Sequence, residues 1–277
     1  MMVKLPQKVI ERLTKNINKF QKVLQIAKDR DVNEANTVII VGDILSDIFG
    51  FDKYTEITSE FAIRGTYCDL AIKTDDKIQY LIEVKAIGID LKENHLRQVV
   101  DYGVNQGVQW IVLTNGIIWE IYKIQYNKPI GHDFVCSFNL LEINPRRADD
   151  QEKLYLLCKE SLSKSVREDF HERILNVNRF IIAAIIQTED VINIIRRELK
   201  KLCPGLKVDN DEIENIIYNE ILKREVLDGE IAARAKQRIK RIISKSLKKT
   251  SMEKIEQPAT QQIIDTSSSE KLSGEEE

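Results

Sequence analysis

Two apolar stretches with charges at their centres constrain this chain more than anything else in it. Residues 67–73 (YCDLAIK) and 79–86 (QYLIEVKA) flank the polar run Thr74, Asp75, Asp76, Lys77. That pattern predicts two β-strands joined by a tight turn. Side chains alternate faces along a strand, so Glu83 and Lys85 share one face while Ile82, Val84 and Ala86 fill the other. Asp69 sits in the first strand between Cys68 and Leu70. An unpaired charge inside an apolar strand is costly to desolvate, so such residues are normally paired or bound to a metal.

Two carboxylates and an ammonium delivered by adjacent strands suit phosphodiester hydrolysis with a divalent cation. Hard carboxylate oxygens hold Mg²⁺, which takes one or two of them and keeps several waters. The cation polarises the phosphate and lowers the pKa of a bound water. Lys85 can orient or deprotonate that water, or neutralise the charge growing on the phosphorane. The same residues also read as a surface hairpin in which Glu83 and Lys85 pair on one face. Spacing alone leaves both readings open.

Further strings extend the pattern: Glu34-Ala35-Asn36-Thr37, Phe49-Gly50-Phe51-Asp52, Cys68-Asp69-Leu70-Ala71, Glu83-Val84-Lys85-Ala86 and Leu113-Thr114-Asn115-Gly116. Asp69 followed by Ile82-Glu83-Val84-Lys85-Ala86 resembles the PD-(D/E)XK nuclease signature. The strings together resemble the N-terminal nuclease domain of type I restriction enzyme R subunits, over about residues 33–124. The resemblance implies an α/β fold, a restriction-endonuclease-like mixed central sheet flanked by helices. It also implies a Mg²⁺-dependent endodeoxyribonuclease, with Mn²⁺ as a substitute ion. Asp69 and Glu83 would be metal ligands and Lys85 would serve the attacking water. Nucleases of this kind often bring one more acid from the preceding helix, which here falls on Glu34. An acid in the first turn also suits the helix dipole in any protein. A Gln-x-x-x-Tyr motif after the E-x-K strand supports the site in one branch of the superfamily, and Gln98 and Tyr102 match it. Such a pair also fits an ordinary half-exposed helix face, and His95 reads as a surface residue. Cys68 stands where the family name has proline. R subunits carry a helicase motor, whereas this sequence has no G-x-x-x-x-G-K-[ST] loop. A separate motor or methyltransferase subunit is therefore an expected partner.

With 277 residues, 43% hydrophobic and 31% charged, the chain can bury a core and is expected to hold two domains. A formal net charge of −2 gives no global attraction for nucleic acid, so any attraction must be local. Four cysteines without C-x-x-C spacing and three histidines argue against a zinc site or a disulfide scaffold. No apolar run suits a membrane span or signal peptide, so a cytoplasmic location is expected.

In chain order, an amphipathic helix is expected over residues 1–32, with Val9, Ile10, Leu13, Ile17, Phe20, Val23, Leu24 and Ile26 apolar. The nuclease-like domain is expected over 33–145. It comprises a helix at 33–49 ended by Gly50, a strand at 55–64, the charged hairpin, a helix at 91–105, strands at 108–113 and 117–124 around Asn115-Gly116, and an edge strand within 134–143. Residues 146–249 have helical periodicity, in segments around Leu154 to Leu162, Phe170 to Ile186, Val191 to Leu202 and Ile213 to Leu227. They suit a partner-docking bundle as well as a DNA-reading fold. Arg234, Lys236, Arg238, Lys240 and Arg241 lie in a stretch without acids and suit phosphate contacts, or a solvated helix end. Residues 250–277 are expected to be disordered. Duplex cleavage by one site per chain suggests a homodimer, and a non-catalytic nucleic-acid-binding or assembly subunit is the alternative to a nuclease.

Overall fold

The hairpin forms as its sequence dictates. The computed structural model describes residues 5–63, 66–126, 129–162 and 165–255, and the chain divides into two units, residues 1–175 and 176–277. In the first unit, strands β1 (Ile57–Ile63), β2 (Thr66–Thr74) and β3 (Lys77–Val84) are joined edge to edge and antiparallel. Asp75 and Asp76 turn the β2–β3 hairpin with φ of 49° and 59°. Two positive φ values in a two-residue loop match the right-handed twist of the strands.

Strands β4 (Trp110–Thr114), β5 (Ile118–Gln125) and β6 (Gly131–Asn139) complete a mixed sheet of six in the order β1-β2-β3-β4-β5-β6. Only β3 and β4 run parallel. Parallel neighbours need a crossover, supplied here by a helix between them. Of the helices α1 (Gln7–Asp29), α2 (Glu34–Asp47) and α3 (Glu93–Gln106), the last is that crossover. At the β4–β5 connection, the Asn115 side chain accepts the N–H groups of Ile117 and Ile118 while Gly116 takes φ 83°. The Asn-Gly turn chemistry is thus used, in a loop reaching to Ile118.

Helices α1 and α2 cover one face of the sheet. Leu13, Ile17, Leu24, Ile44 and Leu45 share a core with Leu70, Ile72, Tyr80, Ile82, Val84 and Trp119. The buried residues of α1 are Val9, Leu13, Ile17, Phe20, Leu24 and Ala27. Val23 and Ile26 fall off that stripe and are exposed, as is Ile39 on α2. The opposite face buries Cys68, Ala71, Leu81, Ile111 and Leu113 against Leu96 and Val99 of α3. A Cβ on Gly103 would meet Ile124 Cδ1 at 2.4 Å, so glycine lets α3 lie close on the sheet. Arg12 locks α1 to the end of α2. Its Nε donates to the Ile48 carbonyl at 2.9 Å, and its two terminal nitrogens grip the Glu160 carboxylate at 2.7 Å each.

The strands end at Asn139, and α4 (Ala148–Tyr155), α5 (Lys159–Leu162) and α6 (Val166–Asn176) follow. Leu154, Tyr155, Leu156, Leu157, Cys158 and Val166 enter the same core as α1, which is why the first unit runs on to Leu175.

The second unit is helical: α7 (Arg179–Ile186), α8 (Glu189–Leu202), α9 (Asn210–Ile216), a π turn (Ile217–Ile221), α10 (Arg224–Leu227) and α11 (Glu230–Ile255). The stretch from Phe170 to Ile186 is not one helix, because Asn178 caps α7 by accepting the N–H groups of Phe180 and Ile181. Asp209 caps α9 in the same way, accepting from Glu212. Helix α11 continues through Ile255, so residues 250–255 of the expected tail are helical; from Glu230 the sequence has no proline until Pro258. The rest of that tail lies outside the described residues.

Candidate active site

The β2–β3 ladder stops where its charges begin. Its last pair is Leu70 with Ile82, so Asp69 and Glu83, the next positions outward, are not backbone partners. Instead Asp69 Oδ2 accepts the Val84 N–H at 2.7 Å. On the other side of β2, the register passes from Ser59–Leu70 to Phe61–Cys68 without pairing Glu60 to Asp69, and Glu60 takes φ 49°. Meanwhile β3 stays paired to β4 through Val84 and Thr114, and the Lys85 N–H continues to the Thr114 carbonyl at 2.8 Å. The acids and the lysine therefore gather at the carboxyl ends of the two parallel strands, the end at which open α/β sheets bind ligands.

Glu83 is the buried centre of the group, with its side chain 1% exposed. Its Oε1 accepts from Lys85 Nζ at 2.7 Å, whereas its buried Oε2 has no hydrogen-bond partner among the described residues. Burial, then the Asp69 charge, push the Glu83 carboxyl up to about 7 in spite of Lys85. Burial also raises Asp69, against the pull of the Val84 N–H and of Lys85. Burial by itself would lower the Lys85 ammonium, but the hydrogen bond and charge of Glu83, with the charges of Glu34 and Asp69, outweigh it and raise it.

Glu34 arrives from the first turn of α2, which Asn33 caps by accepting the Asn36 N–H at 3.0 Å. Its half-exposed carboxylate lies 3.7 Å from Lys85 Nζ, so Lys85 faces both Glu34 and Glu83. From α3, Gln98 Nε2 donates to the Tyr102 hydroxyl at 3.1 Å; the helical spacing brings the two together on an exposed face. His95, read from sequence as a surface residue, is partly exposed in the first turn of α3. Its Nδ1 accepts the Lys92 N–H at 3.3 Å, which leaves the proton of the neutral ring on Nε2. Burial first, then the charges of Lys85 and Lys92, lower its pKa. Cys68 is a core thiol on the face opposite α1 and α2, donating to the Ile82 carbonyl at 3.2 Å. Burial, with the Glu83 and Asp69 charges, pushes it up to about 12.

Residues 44–135 match the family of the type I restriction enzyme R protein N terminus. No curated protein and no solved structure matches the chain. The R-protein match covers a minority of the chain, takes in Asp69, Glu83, Lys85, Gln98 and Tyr102, and begins after Glu34. It suggests a restriction-type nuclease role for the sheet-bearing unit.

Among the described residues, no three His, Cys, Asp or Glu side chains are grouped so as to hold a metal ion. Asp69 and Glu83 are the pair that could hold one; Lys85 Nζ lies 2.7 Å from Glu83 and 3.7 Å from Glu34. Two hard carboxylates, one with a buried oxygen lacking any partner, fit Mg²⁺, whose remaining positions are filled by water. A buried acceptor without a partner is costly, so it marks a place where a cation or donor belongs.

The basic residues singled out on α11 lie in the second unit. Arg234 pairs with Glu230, Arg238 donates to Asn176 Oδ1, and Lys236 Nζ sits 5.8 Å from the Tyr218 ring centroid. Among the described residues, no helix is long and apolar enough to cross a membrane.

Proposed function

We propose that the first unit is a metal-dependent endonuclease module that hydrolyses phosphodiester bonds in DNA, with the PD-(D/E)XK site built from Asp69, Glu83 and Lys85. The observation that carries this reading is the partnerless, buried Oε2 of Glu83 beside a second carboxylate and a lysine, inside the segment matched by the R-protein family. Mg²⁺, or Mn²⁺ in its place, supplies a Lewis acid at the scissile phosphate and a water of lowered pKa. Asp69 and Glu83 hold the cation, and the Val84 N–H fixes the Asp69 carboxylate in orientation. Lys85 works as a cation, held by hydrogen bond and charge against Glu83 and Glu34. Its ammonium donates to the phosphate oxygens on which negative charge grows in the transition state, where a preorganised charge acts most strongly. Glu34, 3.7 Å from that ammonium, helps to restrain it. In this reading Gln98 and Tyr102, paired on α3, position the phosphate or Lys85. DNA is the substrate, a motor or methyltransferase subunit is the natural partner for a restriction-type module, and two copies would be needed to cut both strands.

One contact favours a second reading. The Lys85–Glu83 bridge at 2.7 Å neutralises itself without a cation, as suits a non-catalytic subunit that keeps the fold to bind nucleic acid. Calorimetric titration of Mg²⁺ and Mn²⁺ onto the wild type, Asp69→Asn and Glu83→Gln, run beside plasmid nicking, separates the two. The nuclease reading predicts cation uptake and nicking that both variants lose. DNA binding with no cation uptake in any of the three proteins would replace it with the second reading.

A further inference from the structure

We infer that the arginine stripe of α11 is a second anion-recognition surface, remote in sequence from the acidic site, which grips the phosphodiester backbone of nucleic acid. The residues that the proposed chemistry leaves unused point to it. Arg234, Arg238 and Arg241 recur at i, i+4 and i+7, which puts them on one face of a helix. They line a groove of about 420 Å³ together with Gln237 and Ile242. The face turned the other way is the packed one: Ala235 is buried with Ile181 and Ala184 of α7, and Ile239 packs against them. Between residues 230 and 244 the only acid is Glu230, against five arginines and lysines, in a chain whose net charge is −2. The stripe is thus a local positive field on a chain with no global one.

The five basic residues from Arg234 to Arg241 are not equivalent. Lys236 turns toward the Tyr218 ring, at 5.8 Å from its centroid, and is not part of the groove. The groove holds arginines alone, and their planar forks match phosphate oxygens two at a time, which lysine does not do. Seven residues of α-helix span roughly 10 Å. That is the axial length of about three phosphates along one strand of a duplex. Arg241 has no partner among the described residues. Arg234 donates to Glu230 and Arg238 to Asn176 at an exposed surface, where such contacts are weak and readily exchanged for a phosphate. Contacts of this kind add affinity without reading sequence. The choice of nucleic acid over another polyanion rests on the proposed nuclease reading; the stripe itself does not require that the acidic site cut.

The test is fluorescence anisotropy of the full chain with a labelled duplex and a labelled single strand, in EDTA so that nothing is cleaved, over a range of salt. The proteins are the wild type, Arg241→Gln, the triple variant Arg234→Gln/Arg238→Gln/Arg241→Gln, and Lys236→Gln, matched by circular dichroism. Each lost phosphate contact lowers the slope of log affinity against log salt by about 0.9 on a duplex and about 0.7 on a single strand. We expect Arg241→Gln to lose about one contact, the triple variant about three, and Lys236→Gln none; which of the two substrates shows the loss identifies the form of nucleic acid bound. An unchanged slope in the triple variant overturns the inference, as does binding to anionic phospholipid vesicles with none to either nucleic acid. Plasmid nicking with Mg²⁺ is scored separately. Nicking by the wild type with an unchanged slope in the triple variant would reject the stripe alone, and the expected slopes without nicking would reject the nuclease reading alone.

Discussion

Replacing Glu83 with glutamine should stabilise the metal-free protein at pH 8 and change little at pH 4.5. The Glu83 carboxyl rises from 4.5 to about 7 because it is buried beside Asp69. A raised acid means that the folded chain holds a proton which the unfolded chain releases. The stability from that proton is complete below pH 4.5 and lost as the pH climbs through about 7. A shift of this size corresponds to about 3 kcal/mol, at 1.36 kcal/mol per unit. Lys85 does not confound the window, since its raised pKa matters only above the ordinary lysine value. Glutamine keeps an oxygen for Lys85 and cannot ionise, so it escapes the loss. Urea denaturation of both proteins in EDTA from pH 4.5 to 8 measures the gap, which should open with pH to about 3 kcal/mol in favour of the variant. Saturating Mg²⁺ should narrow it at pH 8 by stabilising the wild type alone. A difference that stays constant across the range would refute the reasoning.

Further outcomes follow from neighbouring groups. Lys85→Ala leaves the buried Glu83 carboxylate without its ammonium and should cost about 3–5 kcal/mol at pH 8. At pH 5 the denaturation cost should be smaller, because Glu83 is then protonated. Glu34→Gln should leave Mg²⁺ affinity within threefold while lowering the rate of cleavage, because Glu34 touches Lys85 and not the other acids; a large calorimetric loss of affinity would make Glu34 a ligand instead. Gly103→Ala should destabilise by about 1–3 kcal/mol in denaturant, since the added methyl forces α3 away from Ile124. In native protein a thiol reagent should label Cys203 alone, because Cys68, Cys136 and Cys158 are buried and each is pushed up to about 12. Rapid reaction of more than one thiol would contradict this.

The strands and helices around the acids were legible because their signals are local. Alternation, the Asp-Asp turn, Asn33 before α2 and Gly50 after it each act within a few residues. The gathering of Asp69, Glu83 and Lys85 could also be read from sequence, since a strand pair and one pleat repeat bring them together. What eluded it depends on distant chain. Spacing does not reveal that the β2–β3 ladder stops at Leu70, so that the Asp69 carboxylate takes the Val84 N–H. Nor does it reveal that Glu34 meets Lys85, or that His95 lies in the field of Lys85, because α2 and α3 reach the site by packing on opposite faces of the sheet. The helices after Asn139 carry the same periodicity whether they pack on the sheet or apart from it. Only the shared core of Leu154, Tyr155 and Val166 decides that question. Among the α11 cations, pattern showed the basic stretch, but the turning of Lys236 toward Tyr218 is a tertiary contact.

The most direct measurement is cleavage of plasmid and single-stranded DNA by the purified chain with Mg²⁺ or Mn²⁺, beside a Lys85→Ala variant assayed at a pH and temperature where both proteins are folded. The account predicts metal-dependent nicking by the wild type and a loss of at least about a hundredfold in the variant, the scale on which removing one preorganised charge slows a reaction. Equal cutting by the two proteins, or cutting that persists in EDTA, would contradict it.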